Sequence, residues 1–237
     1  GMCPHGKFQL RHVPFLLLFL IVWQGTGLLA RGDVSTTTWN VRDMGAKGDG
    51  VALDTLPIQK AIDDCSGKGG GTVIFPAGNY LIGNIYLKSN VTLNVQANAE
   101  IVGTTHLDQY GSDTGISPYY PEDLDKCLIY AKDAKNITVT GAGSINGGFA
   151  GGEKPVPAAG ATGREASARP ILIRFDGCES IRLDSIKLYG SSSWCMHFAR
   201  SKNIVLANLD VPNKHQDGVD FESCEHAQVS GCHFITG

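Results

Sequence analysis

Imbalance of charge is the first thing missing from this chain: 20 Lys+Arg stand against 23 Asp+Glu, a net of −3 at pH 7. No basic stripe alternates with aromatics either, so a nucleic-acid partner is not expected. Aromatics are only 8% of the residues while Gly numbers 30, which fits a chain that turns often. No Cys or His spacing has the form of a zinc site, and neither a metal nor a cofactor is expected. A phosphate loop is lacking too. Gly67-Lys68-Gly69-Gly70-Gly71-Thr72 has no Gly-Lys-Ser/Thr ending and runs into a strand, Val73-Ile74-Phe75, rather than a helix. The apolar run Val13–Trp23 is too short to span a bilayer. With Lys7 and Arg11 ahead of it and small or apolar residues following to Ala30, it reads as a secretory signal peptide over residues 1–30. The mature chain then begins near Arg31, secreted or periplasmic, with no membrane partner once the signal is removed. Gly1 ahead of Met2 reads as a cloning scar or a fragment boundary.

What is present is a repeat. Phe175, Phe198 and Phe221 are spaced 23 apart, and Ile181/Ile204/Ala227, Leu183/Leu206/Val229, Ile186/Leu209/Cys232 and Leu188/Val211/Phe234 keep the same step. A fixed step with apolar residues alternating at a period of 2 is the mark of a β-solenoid, each repeat stacking on the last; a helical solenoid would need a longer repeat and 3.6 spacing. The chain therefore reads as a parallel β-helix over residues 31–237. Seven cysteines leave at least one unpaired. Cys178 and Cys224 share a repeat position with Ser201 between them, two coils apart, or about 10 Å at the spacing of paired strands and beyond the reach of a disulfide at roughly 7 Å. Most of the cysteines read as small buried wall residues.

Ahead of the repeat, a short strand and Gly-rich turns over 39–50 lead to a helix capped by Asp54 or Thr55, with Ile58, Ala61, Ile62 and Cys65 on one face. One apolar stripe on one short helix suits the open end of the first coil. Asn90, Asn136 and Asn203 each precede an apolar-x-apolar triplet, which reads as an Asn ladder at a turn; the glycosylation triplets at 90–92 and 136–138 are explained more economically that way. Val91 to Ile137 is 46 residues and Ile137 to Ile181 is 44, each close to two steps of 23. Two excursions interrupt the ladder. Thr104–Lys126 carries Tyr110, Tyr119 and Tyr120, and Gly147–Ala168 is rich in Gly, Pro and Ala; such loops either wall a binding face or carry nothing.

The chemistry gathers after Pro212. Asp217, Asp220 and Glu222 put three carboxylates within six residues, and one step of 23 places Trp194 beneath Asp217 and His197 beneath Asp220. An aromatic under a carboxylate suits a sugar, the ring stacking while the acid works on the glycosidic bond. From the spacing alone, a turn-capping Asp217 and a solvated Asp220 are the favoured explanation of the pattern.

The segments W-N-V-R-D-M-G-A-K-G-D-G at 39–50, G-G-G-T-V-I-F-P-A-G-N-Y at 69–80, Y-L-K-S-N-V-T-L at 86–93, N-I-T-V-T-G-A-G-S-I-N-G at 136–147, S-S-W at 192–194 and Q-D-G-V-D-F-E-S-C at 216–224 together resemble glycoside hydrolase family 28, the polygalacturonases and related pectin hydrolases. The resemblance covers nearly all of 39–237. It implies an all-β fold, a right-handed parallel β-helix with a short N-terminal capping helix, and inverting hydrolysis of α-linked galacturonan or rhamnogalacturonan without a metal, so that the partner is a pectic polysaccharide. The family's Asn-Thr-Asp-Gly motif is matched by His215-Gln216-Asp217-Gly218, with the first two residues changed. By resemblance Asp217 belongs to the carboxylates that activate water, with Trp194, His197 and Gln216 toward the substrate. Strict alternation from inward Val219 and Phe221 would turn Asp217 in and Asp220 out; a break at Gly218 restores Asp217, leaving Asp220 in reserve. The family's later Asp-Asp, His-Gly and Arg-x-Lys motifs have no counterpart before Gly237, so the domain is expected to be incomplete at its C-terminal end and inactive as a fragment. Two other readings remain: a Ca²⁺-dependent pectate lyase acting by β-elimination, and a non-catalytic β-helix that binds polysaccharide.

Overall fold

The computed structural model describes residues 37–111, 126–214 and 216–237; the signal-peptide reading, Tyr119, Tyr120 and His215 fall outside them. Among the described residues the strands form three parallel sheets of seven, seven and five members. Sheet 1 runs from Thr38–Asn40 to Glu225–Ser230, and sheet 2 from Asp49–Leu53 to His233–Thr236. Sheet 3 stacks Ile85–Tyr86, Cys127–Lys132, Ile171–Asp176, Met196–Ala199 and Val219–Glu222. Each coil visits the sheets in turn, so the fold is a right-handed parallel β-helix.

The 23-residue step is one coil. Phe198 lies in register with Phe175 below and Phe221 above, with ring centroids 5.8 and 5.4 Å apart. Ile181/Ile204/Ala227 and Leu183/Leu206/Val229 pair in the same way. Apolar residues at a period of 2 thus form continuous inward columns, and each strand saturates the hydrogen bonds of the strand beneath it. The longer steps resolve differently from the two coils expected. Thr92 pairs directly with Thr138, and Ile137 with Ile181, so 46 and 44 residues each make a single coil enlarged by an excursion. Both excursions enter at the corner between sheet 2 and sheet 3, where added chain leaves the strand ladders undisturbed.

The helix Thr55–Gly67 buries Ile58, Ala61, Ile62 and Cys65 as expected and packs against the strands of the first coils. It occupies the place of a sheet 3 strand below Ile85–Tyr86. Gln59 completes the substitution: its side chain accepts from the Tyr86 amide at 2.8 Å and donates to the Tyr86 carbonyl at 3.1 Å, doing for that strand edge what a neighbouring strand would do. Capping differs from expectation. Asp54 stands at the N-cap position, but its side chain makes no cap bond to the helix; its buried carboxylate accepts instead from the amides of Lys47 and Gly48 at 2.7 and 2.8 Å, tying the Gly-rich turn to the helix start.

The corners have their own logic. Asn90, Asn136, Ser180, Asn203 and His226 all take positive φ at one corner, between 55° and 64°, a conformation that Asn tolerates better than most residues. Asn136 Nδ2 donates to Asn90 Oδ1 at 2.8 Å, and Ser180 interrupts the ladder above it. The six cysteines within the described residues are free, four of them buried.

Candidate active site

Sheet 3 turns its outer face toward the corner where the excursions leave, and that face carries the polar column. Tyr86, Tyr130, Arg174, His197 and Asp220 stand in register, one per coil. Beside them run Asp176, Ala199 and Glu222. Alternation breaks where the chain enters the sheet. Leu172 and Ile173 both belong to the core, as do Cys195 and Met196 one coil higher, while Ile171 and Trp194 pack outside it with Cys127 and Tyr130. The same break carried up one coil puts Asp217 outside, and Asp217 is exposed while Gly218 is buried. Gly218 is needed there because a Cβ would lie 2.7 Å from Phe234 Cδ1 and 3.0 Å from Thr236 Cγ2. The turn itself is held from below: Asp217 O accepts the Cys195 amide at 2.9 Å, and Asn213 Nδ2 reaches the carbonyl oxygens of Gln216 and Asp217 at 3.3 and 3.5 Å.

Of the residues expected at the site, Asp217, Asp220 and Glu222 share one face, Asp217 exposed and the other two half-buried. The carboxyl of Asp220 is raised above its ordinary value, first because it is partly buried and then because Glu222 and Asp217 repel a second and third negative charge beside it. Gln216 is half-buried next to Asp217. Trp194 does not lie open as a flat platform; it is half-buried, its ring edge-on to His197 with centroids 5.0 Å apart.

His197 departs further from expectation. It is 0% exposed, enclosed by Arg174 below, Trp194 at its side and the carboxylates above, so it does not meet a surface ligand directly. Arg174 Nη1 lies 2.5 Å from His197 Nδ1, and His197 Nε2 is 3.5 Å from both Asp220 Oδ2 and Glu222 Oε2. Burial, and then the guanidinium, lower the imidazole to about 4. Arg174, only 2% exposed, joins the candidate site without having been expected from the sequence. The signal was available: positions 174, 197 and 220 continue the 23-residue step between inward Phe columns, and a cation and an imidazole there are polar residues on a strand whose neighbours are apolar.

The excursion Gly147–Ala168 is tied to the solenoid at its start, where the Phe149 amide donates to Gly190 O at 3.0 Å, and to the other excursion farther along. The Val156 amide donates to Thr105 O, and the Leu107 amide to Val156 O, both at 2.8 Å. Phe149 and Ala150, with Tyr189, Ser191, Asn213 and Lys214, line a cleft of about 230 Å³ next to the Asp217 turn. Phe149 and Ala150 thus put the loop on one side of this cleft.

The solenoid and its acid-bearing outer sheet define a pectate-lyase-like β-helix. The chain belongs to the Rhamnogalacturonase A/epimerase, pectate lyase-like family, which matches residues 38–159. It is 27% identical over 265 residues to an exo-poly-alpha-D-galacturonosidase of Dickeya chrysanthemi, covering 90% of this chain and 44% of that protein. A family 28 exopolygalacturonase of Yersinia enterocolitica superposes with a TM-score of 0.73 at 27% identity, over 85% of this chain and 44% of that one. A 65-residue stretch is 48% identical to mannuronan C5-epimerase AlgE1 of Azotobacter vinelandii, 27% of this chain and 5% of that protein. The chain spans less than half the length of the curated relatives it matches, 42% of a Vitis vinifera relative and 44% of the Dickeya enzyme. Among the described residues no helix is long and apolar enough to cross a membrane.

Proposed function

We propose that the protein is an exported glycoside hydrolase that cleaves a pectic polysaccharide, an α-linked galacturonan or rhamnogalacturonan, by inverting acid/base hydrolysis. The observation that carries this reading is the acidic face itself. Three carboxylates of unequal exposure share one outward edge of sheet 3, and Asp220 is biased toward keeping its proton, first by its partial burial and then by Glu222 and Asp217. Acid/base hydrolysis of a glycoside needs such inequality, because one carboxyl must hold a proton while another stays ionised to activate water. Asp217, exposed and next to the wall of the cleft, is the water-activating carboxylate; Asp220 is the reserve. Gln216 and the half-buried Trp194 ring are assigned to the sugar, with His197 beneath. The likeness to a Dickeya exo-poly-alpha-D-galacturonosidase and to a family 28 exopolygalacturonase supports galacturonan as the first substrate to try.

The epimerase relative favours a second reading, in which a uronic acid is altered at C5 without chain scission. One assay separates the two. The longest form of the protein that its gene encodes is incubated with polygalacturonate and with polymannuronate, following reducing ends, ultraviolet absorbance and uronate stereochemistry. New reducing ends without absorbance, lost in Asp217→Asn with the thermal transition unchanged, are expected. An absorbing product would mean β-elimination, changed stereochemistry without scission would mean epimerisation, and near-normal turnover by Asp217→Asn would reject the residue assignment.

A further inference from the structure

Beneath the acidic face lies a buried pair that the hydrolysis does not by itself require. Arg174 and His197 stack in one column, each almost fully enclosed, with Arg174 Nη1 2.5 Å from His197 Nδ1. A guanidinium has only donors. The imidazole nitrogen facing it must therefore be the acceptor, without a proton, and the single N–H of the neutral ring must sit on Nε2. That N–H points at two carboxylates at once, Asp220 Oδ2 and Glu222 Oε2, each 3.5 Å away. Both distances are long for a hydrogen bond, so the N–H meets the two carboxylates as an electrostatic contact that favours neither.

We propose that Arg174 and His197 are positioning residues: the guanidinium locks His197 in its neutral Nε2–H form, and the positive end of this N–H dipole faces Asp220 and Glu222 equally without neutralising either. The charged and titratable groups around His197 bear this out. Arg174 faces it from the strand below, Asp220 and Glu222 from the strand above, and the Trp194 ring packs on its flank. Asp176, 3.8 Å from Arg174 Nη2, is itself held by Arg200 at 2.7 Å, so the guanidinium keeps a net positive field toward the ring. A doubly protonated imidazole would set an N–H against that guanidinium. It would also place a cation under the two carboxylates, favouring ionisation of both and abolishing the inequality on which acid/base catalysis depends. This consequence for turnover rests on the hydrolase reading; the tautomer lock itself does not.

The test is a pH titration of the histidine side-chain nitrogens by two-bond ¹H–¹⁵N NMR on the protein, assigned through His197→Gln. In the unaltered protein His197 is expected as a single neutral tautomer with Nδ1 unprotonated, and it should stay neutral well below 6.5. In Arg174→Met the lock is gone, and the ring should titrate at or above that value because the carboxylates remain. If His197 carries its proton on Nδ1, or is cationic near neutral pH in the unaltered protein, or titrates unchanged in Arg174→Met, the proposal is overturned. Should Arg174→Met fail to fold, Arg174→Lys, which keeps a donor and charge, should preserve the tautomer, and a switch to Nδ1–H there would count equally against it. Where hydrolysis is measurable, His197→Gln, which can still donate, should keep the pH optimum, while His197→Leu should shift it. Absence of hydrolysis with the expected tautomer would sink the functional reading and leave the lock standing.

Discussion

Asp217 and Asp220 lie three positions apart and experience different solvents. Asp217 is exposed, whereas Asp220 is half-buried against two like charges, so its folded-state affinity for a proton is raised above the unfolded value. The linkage follows in sign. Stability associated with Asp220 is fully present below 3.8 and is lost as pH rises through its raised folded value. Asp220→Asn should therefore raise the urea midpoint at pH 7 and change it little in strong acid. His197 works in the opposite direction. Its folded value is lowered from 6.5 to about 4, so its contribution is present above 6.5 and disappears as pH falls through 4. The difference is on the order of 2–3 kcal/mol for a group this buried. Urea titrations across that window should show the slope in the unaltered protein and a much smaller one in His197→Gln. Gly218 is the other sensitive residue here: Gly218→Ala must displace the Phe234 ring or the turn, and about 1–3 kcal/mol of destabilisation is expected from denaturant melts.

The strands were the most legible elements, and the corners the least. A period of 2 inside a step of 23 located the inward residues of the later coils, because a strand has only two faces and one of them must be apolar. Corners follow other rules. Cys178, Ser201 and Cys224 occupy one corner column, and each donates to the carbonyl two residues before it: Asp176 O at 3.5 Å, Ala199 O at 2.9 Å and Glu222 O at 3.4 Å. Ser201 and Cys224 also reach one coil down, to Phe175 O at 3.4 Å and Phe198 O at 3.2 Å. The sequence shows small residues there, but their work as donors depends on a backbone that only the coil defines. The Asn positions were legible as turns; their left-handed φ was not, since Ser180 and His226 adopt it too. Two consequences are measurable at this scale. Asn203→Ala should cost about 1 kcal/mol, because Ala keeps the Cβ at positive φ and loses the polar side chain that lets Asn tolerate it, and Asn203→Gly should cost less. Phe198→Ala, which removes the middle ring of the buried column, should cost about 3–5 kcal/mol. Equal midpoints for the two Asn203 variants would remove the conformational explanation of the ladder.

A solenoid distributes stability by neighbours rather than through one central core, since each coil touches only the coil above and the coil below. That is why residues 174, 197 and 220 can form one site although 46 positions separate the first from the last. It is also why excursions of about twenty residues leave the ladder intact: loop closure costs grow only slowly with length. The same arrangement hid the coil count, because a coil enlarged by a loop has nearly the length of two plain ones, and only strand pairing tells them apart. Neighbour-by-neighbour stability should be visible in amide exchange. The strand Glu179–Asp184 is paired on both sides and buries Ile181 and Leu183. Glu225–Ser230 is paired on one side only among the described residues and is exposed along its whole length. In the 237-residue chain, exchange should be slowest over 179–184 and fastest over 225–230, with Lys202–Ala207 between them. Protection equal across the three would mean that the coils open together as one cooperative unit, and the additive picture would have to be abandoned.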